Sequence, residues 1–252
     1  MTLASLNRWN ASGLHLAISA VIGVGVVALM LALWYPQHYF AAMGGDTLIL
    51  LLIGVDVVIG PLITLIVYDP KKKSLRFDLA VIALLQLAAL AYGCSVMLNA
   101  RPVFNVFVVD RFEVIAANAV DEESREKAAP PFRSLSLTGP KLVGAKEPSD
   151  PKRMSDIVIS AVGGGLDLAN LPDLFVPYEE VEASAGRAAK PLAELAKRQP
   201  QDASIIRSFI SESGRPEDAI GYLPMKARNK DMAVVVDKKT GDVLGIVPVN
   251  PW

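Results

Sequence analysis

The first residue of this 252-residue chain whose placement invites chemistry is a single acid in the middle of an apolar run. The run, TLILLLIGVDVVIGPLITLIVY (residues 47–68), is about 20 residues long, enough to cross a bilayer. Asp56 sits at its centre, and Gly60 and Thr64 follow at four-residue intervals, so the three share one helix face. Pro61 lacks an N–H, which in an α-helix frees the carbonyl of Val57 and predicts a kink. An acid beside a bare carbonyl makes a polar notch. At about 2.5–3.5 kcal/mol on insertion scales, such an acid faces protein or water rather than lipid. At 1.5 Å per residue, Asp56 lies roughly 18 Å from the end of the run. The same depth on the following apolar run falls between Gln86 and Tyr92, and both can reach towards it. Three roles fit: a hydrogen-bonded lock within a helix bundle, a contact for a partner helix, or a proton carrier. A proton relay needs a chain of ionisable groups, and no other acid or histidine lies at mid-depth in the sequence.

The notch needs helices to hold it, and the composition supplies them. The chain is 52% hydrophobic, and three runs have the length of a membrane span: 13–34, 47–68 and 79–98. The first exceeds the 7–15 apolar residues of a signal peptide, and Trp34-Tyr35-Pro36 follows it instead of a small-residue cleavage site, so it reads as a retained helix. In it, Ser19, Gly23 and Gly25 permit close approach of a neighbour, while His15, with no second ligand beside it, reads as an interfacial or hydrogen-bonded residue. Arg8 precedes the first run, Lys71, Lys72, Lys73 and Arg76 fill the loop between the second and third, and the loop at 36–46 has no Lys or Arg. The positive-inside rule then places the amino terminus and the 69–78 loop in the cytoplasm and everything after the third run across the membrane. Aromatic residues Trp34, Tyr35, Tyr39 and Phe40 at one boundary and Tyr68 and Phe77 at the other fit that orientation.

Beyond residue 100 the chain changes character. Only five of its 25 Lys and Arg and four of its 26 Asp and Glu precede that point, and the remainder is close to neutral, with no electrostatic footprint for nucleic acid. It has no His and no Cys, since Cys94 lies within the third run. That removes the common zinc sites, cysteine nucleophiles and histidine-based triads. Carboxylate pairs remain at Asp121/Glu122 and Glu179/Glu180, where solvated surface is the simpler reading. Gly163-Gly164-Gly165 follows a predicted helix, whereas a phosphate loop follows a strand, so it reads as a cap and turn. Strands are predicted at 103–109, 112–116, 142–145, 222–226, 232–236 and 243–247, the last two joined around DKKTGD. Helices are predicted from Pro151, capped by Asp150, and from about 179, 191 and 203. In the first, Met154, Ile157, Val158, Ala161 and Val162 form an apolar stripe. Residues 121–147 read mostly as loop, and Arg101 as a snorkelling residue at the membrane surface.

Five phrases together resemble a known family. They are YPQHYFAAMGG, LLLIGVDVVIGPLITLIVYDPKKKSLRFDLAVIALLQLAALAYG, ARPVFNVFVVDRFEVI, GGGLDLANLPDLFVPY and the final NPW. They are similar to the type IV pilin accessory proteins, the TfpX/TfpZ family. The resemblance implies an inner-membrane protein that helps its cognate major pilin become surface fibre, alone or with the pilus assembly machinery, without enzymatic activity. It carries over no catalytic, cofactor or binding residues. The expected architecture is a membrane domain (1–100) of three transmembrane helices and a periplasmic α+β domain (101–252) with a small antiparallel sheet. A pilin chaperone is the leading functional expectation. A proton-coupled or transport-associated subunit using Asp56 is the alternative.

Overall fold

The computed structural model of the chain describes residues 6–252. Two compact units form. One holds Gly44–Asn99 with the chain up to Trp34, and the other holds Tyr35–Met43 with Ala100–Trp252. The connection between the first two apolar runs therefore belongs with the carboxy-terminal unit and not with the first hundred residues.

In the first unit, α1 (Arg8–Leu33) begins at Asn7, whose side chain accepts from the amide of Asn10. The short α2 (Tyr39–Ala42) is part of the other unit. The second apolar run, expected as one helix over 47–68, is a composite. It comprises α3 (Gly45–Ile53), a π-helical segment (Gly54–Ile59) and α4 (Gly60–Val67). α5 (Leu75–Ala100) follows a turn in which Lys72 pairs with Asp78 at 2.6 Å. α1 and α5 are each long and apolar enough to cross a membrane, whereas the π segment and α4 form a shorter apolar stretch. α1 packs along α4 and the π segment.

The π segment corrects the expected kink. With a π register, each amide reaches back five residues, as the Gly60 N–H does to Val55 O. The next amide in that pattern would be that of Pro61, which has none, so the carbonyl of Asp56 is left open as well.

The second unit is built on an eight-stranded mixed sheet, larger than the small antiparallel one expected. Strands β1 (Pro102–Val108) and β2 (Arg111–Ala116) pair antiparallel, as their β-branched and aromatic composition predicts. Residues 121–147, read as loop, contain α6 (Glu122–Lys127) and a four-residue turn α7 (Pro130–Arg133), then β3 (Lys141–Ala145), which lies parallel to β1. Asp121 caps α6 by accepting from the Ser124 amide at 2.8 Å. Next come α8 (Pro151–Val162), β4 (Phe175–Pro177), α9 (Glu182–Ala188), the two-residue β5 (Lys190–Pro191), α10 (Leu192–Arg198) and α11 (Ala203–Ser213). Gly214, at φ +62°, stops α11 in the left-handed conformation that glycine adopts without steric cost. β6 (Ile220–Lys226) lies parallel to β2 and antiparallel to β7 (Met232–Asp237), and β7 forms a hairpin with β8 (Val243–Val247). The strand order is β4-β3-β1-β2-β6-β7-β8, with β5 on β6.

Two apolar clusters cover this sheet. One packs Phe104, Val106 and Val143 under Phe132, Ile157 and Phe175, and the other packs Tyr222, Val235 and Val247 under Leu192, Leu195 and Ile206. Of the stripe expected on α8, Ile157 is buried and Met154 packs at the margin, but Val158 and Val162 are exposed. The helix meets the core along a narrow line, with its first turn fixed by Arg153 on Asp173 at 2.5 Å.

Candidate functional site

The elements of the first unit converge on the π segment. Asp56 is only 8% exposed, and its Oδ1 has no hydrogen-bond partner among the described residues. Its backbone carbonyl, left open by Pro61, accepts from Gln86 Nε2 of α5 at 3.0 Å. Gly60 makes that bond possible, because a Cβ there would lie 2.0 Å from Gln86 Nε2. Gln86 thus meets the backbone of Asp56, not its carboxyl group. Thr64, 2% exposed, faces α1 instead, with its Oγ1 2.6 Å from His15 Nδ1 in a hydrogen bond. One turn away Ser12 donates to the carbonyl of Pro61 at 2.8 Å.

Tyr92 does not join them. It is 73% exposed, because six residues beyond Gln86 it points about 120° away round the helix. Equal depth does not mean equal direction. Gly25 fails for the same reason: it is exposed, while Gly23, two residues earlier, faces the composite helix. Ser12 is a contact the sequence reading missed, whereas His15, read as interfacial or hydrogen-bonded, is hydrogen-bonded to Thr64. The signal for Ser12 is the spacing Ser12, His15, Ser19, Gly23, which places small and polar groups on one face of α1.

Beside Asp56 lies a recess of about 190 Å³, with His15, Ser19 and Gly23 on one wall, Gln86 and Leu87 on the other, and Asp56 between them. Ile18, Ile22 and Leu87 at its rim are exposed, so it opens sideways between α1 and α5. A buried polar atom without a partner is destabilising by about 1–3 kcal/mol, and Asp56 Oδ1 is such an acceptor on the wall of this recess. Arg8, Lys71, Lys73 and Arg76 are exposed, and Lys72 is held by Asp78. Among the described residues, no three His, Cys, Asp or Glu side chains gather as a metal site.

The second unit has its own junction at the Tyr35–Met43 segment. Tyr39 is buried and its hydroxyl accepts from Asn105 Nδ2 of β1 at 3.3 Å. The carbonyl of Ala42 accepts from the amides of Asn229 (2.8 Å) and Lys230 (3.2 Å). Gly139, at φ +84°, packs on Pro36, where a Cβ would come within 2.7 Å. Burial pushes the phenols of Tyr35 and Tyr39 up to about 12, against opposing pulls from Arg228 and Arg101 at Tyr35 and from Asn105 at Tyr39. Arg101, expected at the lipid surface, is buried and donates through Nε to the carbonyl of Ser136 at 2.8 Å.

The carboxylate pairs are surface features. Glu122 pairs with Arg125 along α6, and Glu180 with Lys146 at 2.5 Å. The glycine triplet ends α8, with Gly163 N–H on Ile159 O and Gly165 N–H on Ser160 O.

No solved structure matches the chain. Residues 5–44, from α1 through the docked segment, match the family model described as fimbrial assembly protein FimB. The serogroup I fimbrial assembly protein of Dichelobacter nodosus is 30% identical over 234 residues, covering 90% of each chain, and the serogroup E1 protein matches equally. The protein of serogroups C1 and C2 is 36% identical over 107 residues, 42% of this chain and 82% of that one. The chain belongs to this fimbrial assembly protein family, a type IV pilus accessory family.

Proposed function

We propose that the chain is a non-enzymatic inner-membrane factor that holds a cognate major pilin before or during its assembly into a type IV pilus. The relatives' description as fimbrial assembly proteins supports the general role. The observation that carries the mechanism is the buried Asp56 carboxyl group, with Oδ1 unpartnered, in a recess that opens sideways between α1 and α5. A client helix lying against the exposed faces of α1 and α5 would place one donor side chain in that recess.

A parity argument supports reading three membrane crossings if α5 is one of them. Residues 35–43 and 100–252 form one unit joined by hydrogen bonds, so they lie on one side of the bilayer. With α5 between them in the chain as one crossing, a second is needed between them, and Gly45–Val67 is the apolar stretch that this reading assigns to it. The cationic loop then faces the cytoplasm and the sheet unit the periplasm. This reading assigns the sheet unit to the pilin's soluble portion. Deleting the protein should abolish or strongly reduce surface pili, and the full-length protein should co-purify with its pilin from membranes. Normal piliation without it, together with no co-purification, would refute the reading.

His15 on the wall of the Asp56 recess favours a second reading, a proton-coupled or transport-associated subunit, because it supplies the ionisable neighbour that sequence depth did not reveal. Its hydrogen bond to Thr64 gives it a structural task as well. Proton flux into liposomes carrying the protein, lost in Asp56→Asn, would support this second reading over the first.

A further inference from the structure

A larger groove lies on the other side of the composite helix, between it and α5, and the pilin reading does not use it. It encloses about 490 Å³, with Ile59, Ile63 and Val67 on one wall and Val81 and Leu85 on the other. Its deep end is at Val55 and Gln86, and its mouth is at Lys72, Phe77 and Asp78. Val55 to Val67 spans about 18 Å at 1.5 Å per residue. One leaflet's share of a hydrocarbon core about 30 Å thick is of the same length.

The two ends differ in charge. The walls are aliphatic, whereas the mouth opens beside Lys71, Lys72, Lys73 and Arg76, with Asp69 and Asp78 as the opposing acids. Asp78 engages the Lys72 ammonium at 2.6 Å, which uses one of its three N–H donors. Lys71, Lys73 and Arg76 are exposed. Phe77 is exposed at the rim, where an aromatic ring suits the level of lipid headgroups. An apolar channel one leaflet deep that ends on a net positive loop matches a molecule with a long hydrocarbon tail and an anionic head.

We infer that this groove is a binding site for an anionic phospholipid, with one acyl chain between α4 and α5 and the phosphate on Lys72 and its neighbouring cations. The inference needs only that the helices sit in a bilayer and is independent of the pilin reading. The site would make the position of α5 against α4 depend on lipid composition, since few direct contacts join the two helices across the groove.

Native mass spectrometry of the full-length protein, released from micelles containing phosphatidylglycerol and phosphatidylcholine with identical acyl chains, tests it. The expected result is one phosphatidylglycerol retained in preference to phosphatidylcholine. Lys72→Gln should lower that preference about fivefold, from roughly 1 kcal/mol per cation near a lipid surface. Leu85→Trp, which fills the groove and leaves every cation in place, should lower phosphatidylglycerol retention as strongly, and Val81→Trp provides the same test if Leu85→Trp does not fold. Equal retention of the two lipids by the wild-type protein would overturn the inference. So would wild-type retention in the folded tryptophan variant, because the lipid would then be held by surface charge alone.

Discussion

The two units use their polar and apolar groups in opposite ways. In the sheet unit the strands β1, β6 and β7 are buried almost end to end, helices cover the apolar clusters, and the docked Tyr35–Met43 segment satisfies its Ala42 carbonyl on Asn229 and Lys230. In the helical unit the long apolar side chains of α1 and α5 face outward, and the buried acid at the centre keeps an open oxygen. In a bilayer exposed leucines cost nothing, so the feature that calls for explanation there is the polar group. The comparison teaches where each kind of mutation should act: in the sheet unit on stability, in the helical unit on assembly.

The largest effect is expected in the sheet core. Phe104 is fully buried and meets Phe175 edge-on at 5.1 Å, so Phe104→Ala should destabilise the sheet unit by about 3–5 kcal/mol, read as a lower denaturation midpoint of the full-length protein. A shift below about 1 kcal/mol would show that the core is less tightly packed than described.

Alkaline pH should act next, through the docked segment. Tyr39 ionises near 12 when folded and near 10 when unfolded, because burial disfavours the phenolate. Its contribution is therefore complete below pH 10 and is lost as the pH rises towards 12, by about 2–3 kcal/mol. Tyr39→Phe removes this group from the titration, so its stability should fall less steeply over that interval. Identical slopes would mean that Tyr39 is not buried in the native protein.

In the helical unit the effect should fall on pilus assembly. Asp56→Leu should reduce surface pili about tenfold, the equivalent of one lost interaction of about 1.4 kcal/mol, whereas Asp56→Asn, which keeps hydrogen-bonding capacity, should stay within about twofold of wild type. Wild-type piliation in both variants would remove Asp56 from the mechanism. The smallest effect concerns Gly60 and Gln86. Gly60→Ala and Gln86→Leu each break the bond to the Asp56 carbonyl, so each should cost about 1 kcal/mol, and together little more than either alone. Full additivity in thermal stability would contradict the shared bond.

Local signals made several elements of the sheet unit legible. β1 and β2, the β7–β8 hairpin, the Asp150 cap of α8 and the Gly214 stop of α11 all follow from short stretches of sequence. The two parallel pairings, β3 on β1 and β6 on β2, join residues far apart in the chain and leave no short-range pattern, so the sheet was expected to be smaller than it is. β4 escaped because Pro172 and Pro177 masked three extended residues at a sheet edge, where proline is tolerated. At the site, Asp56 and Pro61 marked the place correctly as a break in a helix. The π register then opened the carbonyl of Asp56 to Gln86, and helix rotation excluded Tyr92, neither of which follows from counting depth. The docking of residues 35–43 was likewise hidden, because YPQHYFAAMGG reads as an ordinary interfacial loop until β1 and Asn229 are in place.

The central claim is that the side of the helical unit opening at Asp56 receives the pilin's apolar helix. Photo-crosslinking in intact membranes tests it most directly, with a reactive side chain placed in turn at Ile22 and Leu87 on the rim of the recess, and at Val24 and Leu84, which are exposed elsewhere on α1 and α5. Pilin adducts from the first pair and not the second are the predicted result. Adducts from neither pair, or equally from both, would contradict it.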